Sequence, residues 1–319
     1  MMTPAERAIT ALNLGIPDEV PTFELEYQLE ELVFGRKFVP NDFHPDNYTK
    51  LTQSEKDKLI DDTAEFFAHV YNTLDYSIIP AYGPGWSDLN SYEFKTFIKR
   101  LRERIGNTRL LGCHGDGTFS IPDGNHMYDF SYRLVDDFDG VIEQAEQWCV
   151  NTIEANHRKK EAGMDVLLLC SDYCYNVGPF VSPEVFSQIV TPYLARIIEA
   201  ARKDGLYAIK HTDGNIMPIL DQLVECNPHA LHSIDPMAGV DIKVVKEMVG
   251  DKVCLCGNVH CAAMQTGTDE EVIASAEYCL THGKKGGGYI FCTSNVPFRG
   301  MPPERYDMIL DVWKKMRAY

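Results

Sequence analysis

The stretch YAIKHTDGNIMPILDQLVECNPHALHSID, residues 207–235, decides the fold. Residues 207–211 form an apolar run closed by His211, a polar turn with one glycine follows, residues 216–226 carry apolar side chains at helical spacing, and a second apolar run begins at Ala230. Short apolar runs of this kind suit parallel strands buried on both faces, and two of them joined by a helix make a βαβ unit. The alternation continues in both directions. Toward the C-terminus it predicts strands at 253–257 and 289–292 and helices at 242–249, 269–282 and 303–316. Toward the N-terminus it predicts strands at 166–170, 110–115, 76–80 and 20–25, with helices at 183–203 and 137–161. Eight strands alternating with helices in 319 residues predict a single α/β domain, a (β/α)8 TIM barrel spanning residues 1–319. Residues 28–74 read as a helical insertion after the first strand, covering the cleft and bringing Tyr27 and Glu30 near a substrate.

Composition narrows the function. Thirty basic against forty-seven acidic residues leave a net charge of −17, a field that repels nucleic acid and anionic membranes. The first twenty residues carry acidic groups and no unbroken apolar core, and no later stretch reaches a membrane-spanning length, so a soluble, cytoplasmic protein is expected. Ten cysteines in a chain of this size read as core residues with a few metal or reactive thiolates rather than as a disulfide scaffold. No G-x-S-x-G elbow, phosphate loop or dinucleotide fingerprint occurs; GKKGGG at 283–288 is a turn.

In a (β/α)8 barrel the site is built at the carboxyl ends of the strands. The polar groups that fall there are Glu24, Glu26, Tyr82, Asp116, Asp172, Tyr173, His211, Asp213, His232, Asp235, Cys256, Asn258, His260, Cys292 and Asn295, a set rich in carboxylate, imidazole and thiol. His211, closing an apolar strand, is a candidate for chemistry. Asp213 is either part of the site or a cap on the helix that follows, and His232 with Asp235 is either ligand and substrate anchor or a buried hydrogen-bonded pair. Cys254 and Cys256 share a strand and face the same way, with Cys254 a layer deeper; Cys254 and Cys261 read as packing. Tyr27, Tyr82, Trp86, Tyr173 and Tyr175 lie in loops where a planar substrate packs, or in the core.

Several strings in order carry a resemblance: V-G-P-F-V-S-P-E-V-F from Val177, K-H-T-D-G-N-I from Lys210, I-D-P-M-A-G-V-D from Ile234, C-G-N-V from Cys256, G-T-D-E-E-V from Gly267, then G-G-Y-I and M-P-P-E-R. They resemble the uroporphyrinogen decarboxylase superfamily, whose fold is the (β/α)8 barrel. True decarboxylases of that superfamily hold a polyanionic tetrapyrrole through an arginine-rich R-Q-A-G-R motif after the first strand. Here that place reads F-E-L-E-Y-Q-L from Phe23, and its acidic pair would repel such a substrate.

The resemblance implies instead the branch of zinc methyltransferases that work with corrinoid proteins. Its thiol-methylating members have His-x-Cys after the fifth strand and a further Cys after the eighth; this chain has His211, then Asp213, and Cys292 or Asn295. Carboxylate in place of thiolate hardens the site, which suits an ether oxygen better than a thiol. The resemblance therefore implies a methyl group moved from a small methoxylated aromatic to the cob(I)alamin of a partner corrinoid protein, as in aryl methyl ether O-demethylases. The implied set is zinc on His211, Cys256 and Cys292; catalytic Asp172 and Asp213; and substrate contacts from Glu24, Glu26, Tyr27, Tyr82, Asp116, Tyr173 and Asn258. A homodimer is admissible. The rivals are a metal-free lyase acting on a small carboxylic acid and a non-catalytic barrel.

Overall fold

The computed structural model describes residues 1–82 and 91–319; Trp86 lies outside the described residues. Seven parallel strands form one sheet: β1 (Ile78–Pro80), β2 (Leu110–His114), β3 (Val166–Leu169), β6 (Tyr207–His211), β7 (Ala230–His232), β8 (Cys254–Cys256) and β9 (Tyr289–Ile290), hydrogen-bonded in that order. A small antiparallel hairpin, β4 (Cys174–Tyr175) with β5 (Gly178–Pro179), projects between β3 and β6. The strands are short and almost entirely buried because helices cover their outer face and packed side chains fill the inner one.

The expected first strand, residues 20–25, is an irregular segment. Pro21 cannot donate to a ladder, and the segment makes isolated bridges in place of a continuous strand. Even so it reaches both edges of the sheet: Ser77 N donates to Thr22 O at 2.7 Å, and Phe291 N donates to Pro21 O at 2.9 Å. One segment touching β1 and the neighbour of β9 requires the sheet to be strongly curled.

Helices follow the apolar stripes that pack on the strands. Phe138–Glu161, Thr191–Lys203, Ile242–Val249, Asp269–Gly283 and Pro303–Met316 lie where the 3.6-residue period places them. The expected helix over 183–203 is two, Pro183–Ile189 and Thr191–Lys203, because Pro192 starts a new first turn. Pro218 similarly leaves a 3₁₀ turn, Met217–Ile219, ahead of Leu220–Glu225. Within residues 28–74 the longest helix is Gln53–Thr73, which opens on a capping box from Thr52 and packs against Tyr92–Ile105. All ten cysteines are free, and among the described residues no helix is long and apolar enough to cross a membrane.

Candidate metal centre

The end of β6 carries Lys210 and His211, whose side chains leave the strand on opposite faces. Lys210 is fully buried and donates to Asp116 Oδ2 at 2.7 Å and to Ser171 O at 2.8 Å. Its ammonium also lies 3.9 Å from the centre of the Tyr173 ring. Burial pushes the Asp116 carboxyl up, but the Lys210 charge and hydrogen bonds from Thr118 and the Ser171 amide outweigh it and hold it below its ordinary value. Asp116 and Tyr173 are therefore structural: they tie the loop after β3 to β6. This corrects the expectation that both contact substrate.

That tie positions Asp172. His211 Nε2 stands 3.5 Å from Asp172 Oδ1 and 3.8 Å from Asp213 Oδ1, and the Asp213 amide donates to Asp172 Oδ1 at 3.1 Å. Asn295 Nδ2 holds the other Asp213 oxygen at 2.6 Å, leaving Asp213 Oδ1 buried without a hydrogen-bond partner among the described residues. Asp213 thus belongs to the site; it is Asp235 that caps, accepting from the Gly214 and Met237 amides at 3.1 and 2.9 Å. Behind the cluster, His211 Nδ1 meets His232 Nδ1 at 2.8 Å.

The electrostatics are those of an incomplete site. Burial, with help from Lys210, lowers the His211 pKa to about 3, so the imidazole is neutral, and its Nε2 faces two carboxylates; the tautomer protonated at Nδ1 would offer a lone pair there. Burial and the neighbouring Asp172 charge raise Asp213 to about 7. A divalent cation between the three would relieve both the repulsion and the orphaned oxygen. Donors about 2.0–2.2 Å from a tetrahedral zinc stand roughly 3.4 Å apart, close to the two separations from His211. The set of one nitrogen and two carboxylate oxygens fits zinc in its harder mode. Asp172, His211 and Asp213 offer ligand atoms that all lie within 4.8 Å of one another, and no other such group occurs among the described residues.

Cys256 and Cys292 do not join this cluster, which corrects the expected ligand set. Both are wholly buried in the core, and neither thiol belongs to the group of ligand atoms formed by Asp172, His211 and Asp213. Asn258 is also elsewhere: its Nδ2 donates to Ile234 O at 2.6 Å and its Oδ1 accepts from Cys279 Sγ at 3.2 Å. It lines a groove of about 810 Å3 among Ile242–Val249, Cys261–Thr266 and Asp269–Gly283, to which none of the three clustered residues contributes. Glu24 is sealed in the core, accepting from Thr293 N at 3.0 Å, Thr293 Oγ1 at 2.5 Å and Tyr306 Oη at 3.3 Å. It has no opening to a substrate.

Glu26 and Tyr82 do face an opening. With His211, His114, Lys159 and Cys170 they line a cavity of about 670 Å3 whose remaining walls are mostly apolar, among them Leu25, Ala81 and Val296. Tyr27 lies next door, lining with Glu26, Glu30 and Tyr82 a cavity of about 400 Å3. Asp172 and Asp213 border a further cavity of about 540 Å3, lined by residues of the β4–β5 hairpin that include Tyr175 and the 90% exposed Val177. The cluster therefore borders both cavities, His211 lining one and the two carboxylates the other. His114 belongs to the glycine-rich stretch G-C-H-G-D-G-T-F, which reads either as a substrate-contact loop or as turn chemistry, whereas nothing in the sequence points the helix-terminal Lys159 into the same space.

Over its whole length the chain is similar to a solved methyltransferase from Methanosarcina mazei: TM-score 0.71, 17% identity, 99% of each chain covered. A sugar phosphate isomerase/epimerase from Parabacteroides distasonis aligns over 94% of this chain and 97% of its own at TM-score 0.49 and 10% identity. No curated protein matches in sequence. The family model for uroporphyrinogen decarboxylase matches residues 122–316, the part that supplies Asp172, His211 and Asp213. The chain belongs to the uroporphyrinogen decarboxylase family.

Proposed function

We propose that the protein is a methyltransferase that takes a methyl group from a small methoxylated aromatic and passes it to the cob(I)alamin of a partner corrinoid protein. The observation that carries this reading is the Asp172–His211–Asp213 cluster, with a buried carboxylate oxygen lacking a partner among the described residues, bordering two cavities. Zinc held by these three side chains would supply Lewis acidity toward the ether oxygen as its bond to the methyl carbon breaks.

The rest falls to the chain itself. His232 fixes the His211 ring so that Nε2 faces the cluster. The Asp213 amide and Asn295 orient the two carboxylates. Leu25, Ala81 and Val296 keep water from the donor's ring, since apolar walls strengthen every charge interaction within them. A cluster that borders two cavities suits a transfer in which donor and acceptor approach one methyl carbon from different sides. The acceptor's side is the one rimmed by Tyr175 and Val177.

The architecture supports the same reading. The curled sheet is a (β/α)8 barrel with residues 20–25 as its eighth stave, and the helical insertion over 28–74 borders the mouth through Gln28, Glu30 and Phe38. The resemblance to the corrinoid branch and the likeness in fold to a methyltransferase agree with it. The test mixes the zinc-loaded protein with a reduced corrinoid protein and, in turn, methoxyarenes, methanol and methylamines. Conversion of the cob(I)alamin spectrum to that of methylcobalamin with a methoxyarene is the expected result; no conversion with any donor overturns the reading.

A further inference from the structure

Resting on that reading, we propose that Lys159 is the anchor for an anionic group of the substrate, so that the cavity ending at His211 takes a single-ring aromatic carrying one carboxylate. Lys159 stands near the end of Phe138–Glu161, where a basic residue ordinarily turns to solvent and complements the helix dipole. Here it lines the cavity instead. Its Nζ donates to Asn156 Oδ1 at 2.8 Å, and the buried Asn156 is itself fixed by donating to Gly115 O at 2.8 Å. The ammonium is thus held in place without being neutralised: among the described residues no carboxylate lies within 4.0 Å of it, whereas the buried Lys210 has Asp116.

Two features of the same cavity complete the site. Tyr82 stacks on His114, ring centres 4.4 Å apart and planes within 13°, giving a flat wall. Tyr82 and His114 both line the cavity, so this stacked pair is available to a planar ligand. Glu26, the carboxylate on the same lining, is exposed and already accepts from Gln28 Nε2 at 2.9 Å. One unneutralised cation matches one carboxylate; each further negative charge would enter unpaired in a cavity whose lining already carries Glu26.

Titration calorimetry on the full-length protein tests this with para-methoxybenzoate and the neutral para-methoxyphenol as probes. A charge-assisted hydrogen bond predicts that Lys159→Met weakens methoxybenzoate binding by about tenfold or more and leaves methoxyphenol unchanged, and that Lys159→Arg restores most of the loss. Lys159→Arg also controls for folding, together with an unchanged melting curve for Lys159→Met. Equal methoxybenzoate affinity in wild type and Lys159→Met, or no methoxybenzoate binding by wild type, overturns the anchor. Binding that depends on Lys159 without methyl transfer would leave the anchor standing and remove the methyltransferase reading. Methyl transfer with the two probes bound equally by both forms would do the opposite.

Discussion

His211 and His232 meet Nδ1 to Nδ1 at 2.8 Å, so one ring donates and the other accepts, and His211 must present Nε2 to Asp172 and Asp213. Partners behind a metal-bound histidine set its tautomer and ring orientation, and their loss costs about 10–100-fold in metal affinity. His232→Ala should weaken zinc binding by that order while the protein stays folded, measured by competition with a chromophoric chelator. Unchanged affinity would mean that His211 needs no support.

Cys256 and Cys292 lie in the core and away from the cluster. Replacing either with Ala should cost about 1 kcal/mol in denaturant unfolding, as a small cavity does, with zinc content unaltered. Zinc lost from either variant would return these thiols to the ligand set.

Lys210 and Asp116 form a buried ion pair whose removal leaves one charge uncompensated. Lys210→Met should destabilise by about 3–5 kcal/mol in urea unfolding. Because the pair ties the loop of Asp172 to β6, zinc affinity should fall with it. A variant as stable as wild type would contradict the structural role given to Asp116.

Glu24 provides a pH signature. Burial raises its carboxyl from 4.5 to about 8, against the hydrogen bonds from Thr293. The folded chain then keeps a proton that the unfolded chain releases. Stability from this group is full below pH 4.5 and is lost as the pH rises toward 8, by about 1.4 kcal/mol per unit. Glu24→Gln should flatten that slope in urea unfolding carried out across the same range. An identical slope in both proteins would show that Glu24 is ionised when folded.

Much of the α/β fold was legible because strand and helix periods differ: β6 and the helices Ile242–Val249 and Pro303–Met316 fall where the apolar spacing puts them. Tyr92–Ile105 carries a clear stripe of Phe94, Phe97, Ile98, Leu101 and Ile105, yet it is not among the expected helices. At the site, His211, Asp172 and Asp213 were readable as polar groups at strand ends, but their roles were not. Alternation along β8 gives the face of Cys256 and not its depth, and no pattern shows that Glu24 would be closed off by Thr293 and Tyr306. The likeness to thiol-methylating relatives favoured sulfur ligands, whereas the loops after β3 and β6 bring two carboxylates together. The side chain of Lys159 was hidden in the basic run Arg158-Lys159-Lys160, an ordinary helix ending.

The most direct test is zinc stoichiometry by plasma mass spectrometry on wild type, His211→Ala and the Asp172→Asn, Asp213→Asn double variant, each confirmed as folded by circular dichroism. The account predicts one zinc per chain in wild type and none in either variant. Full zinc in the double variant, or no zinc taken up by wild type, would contradict it.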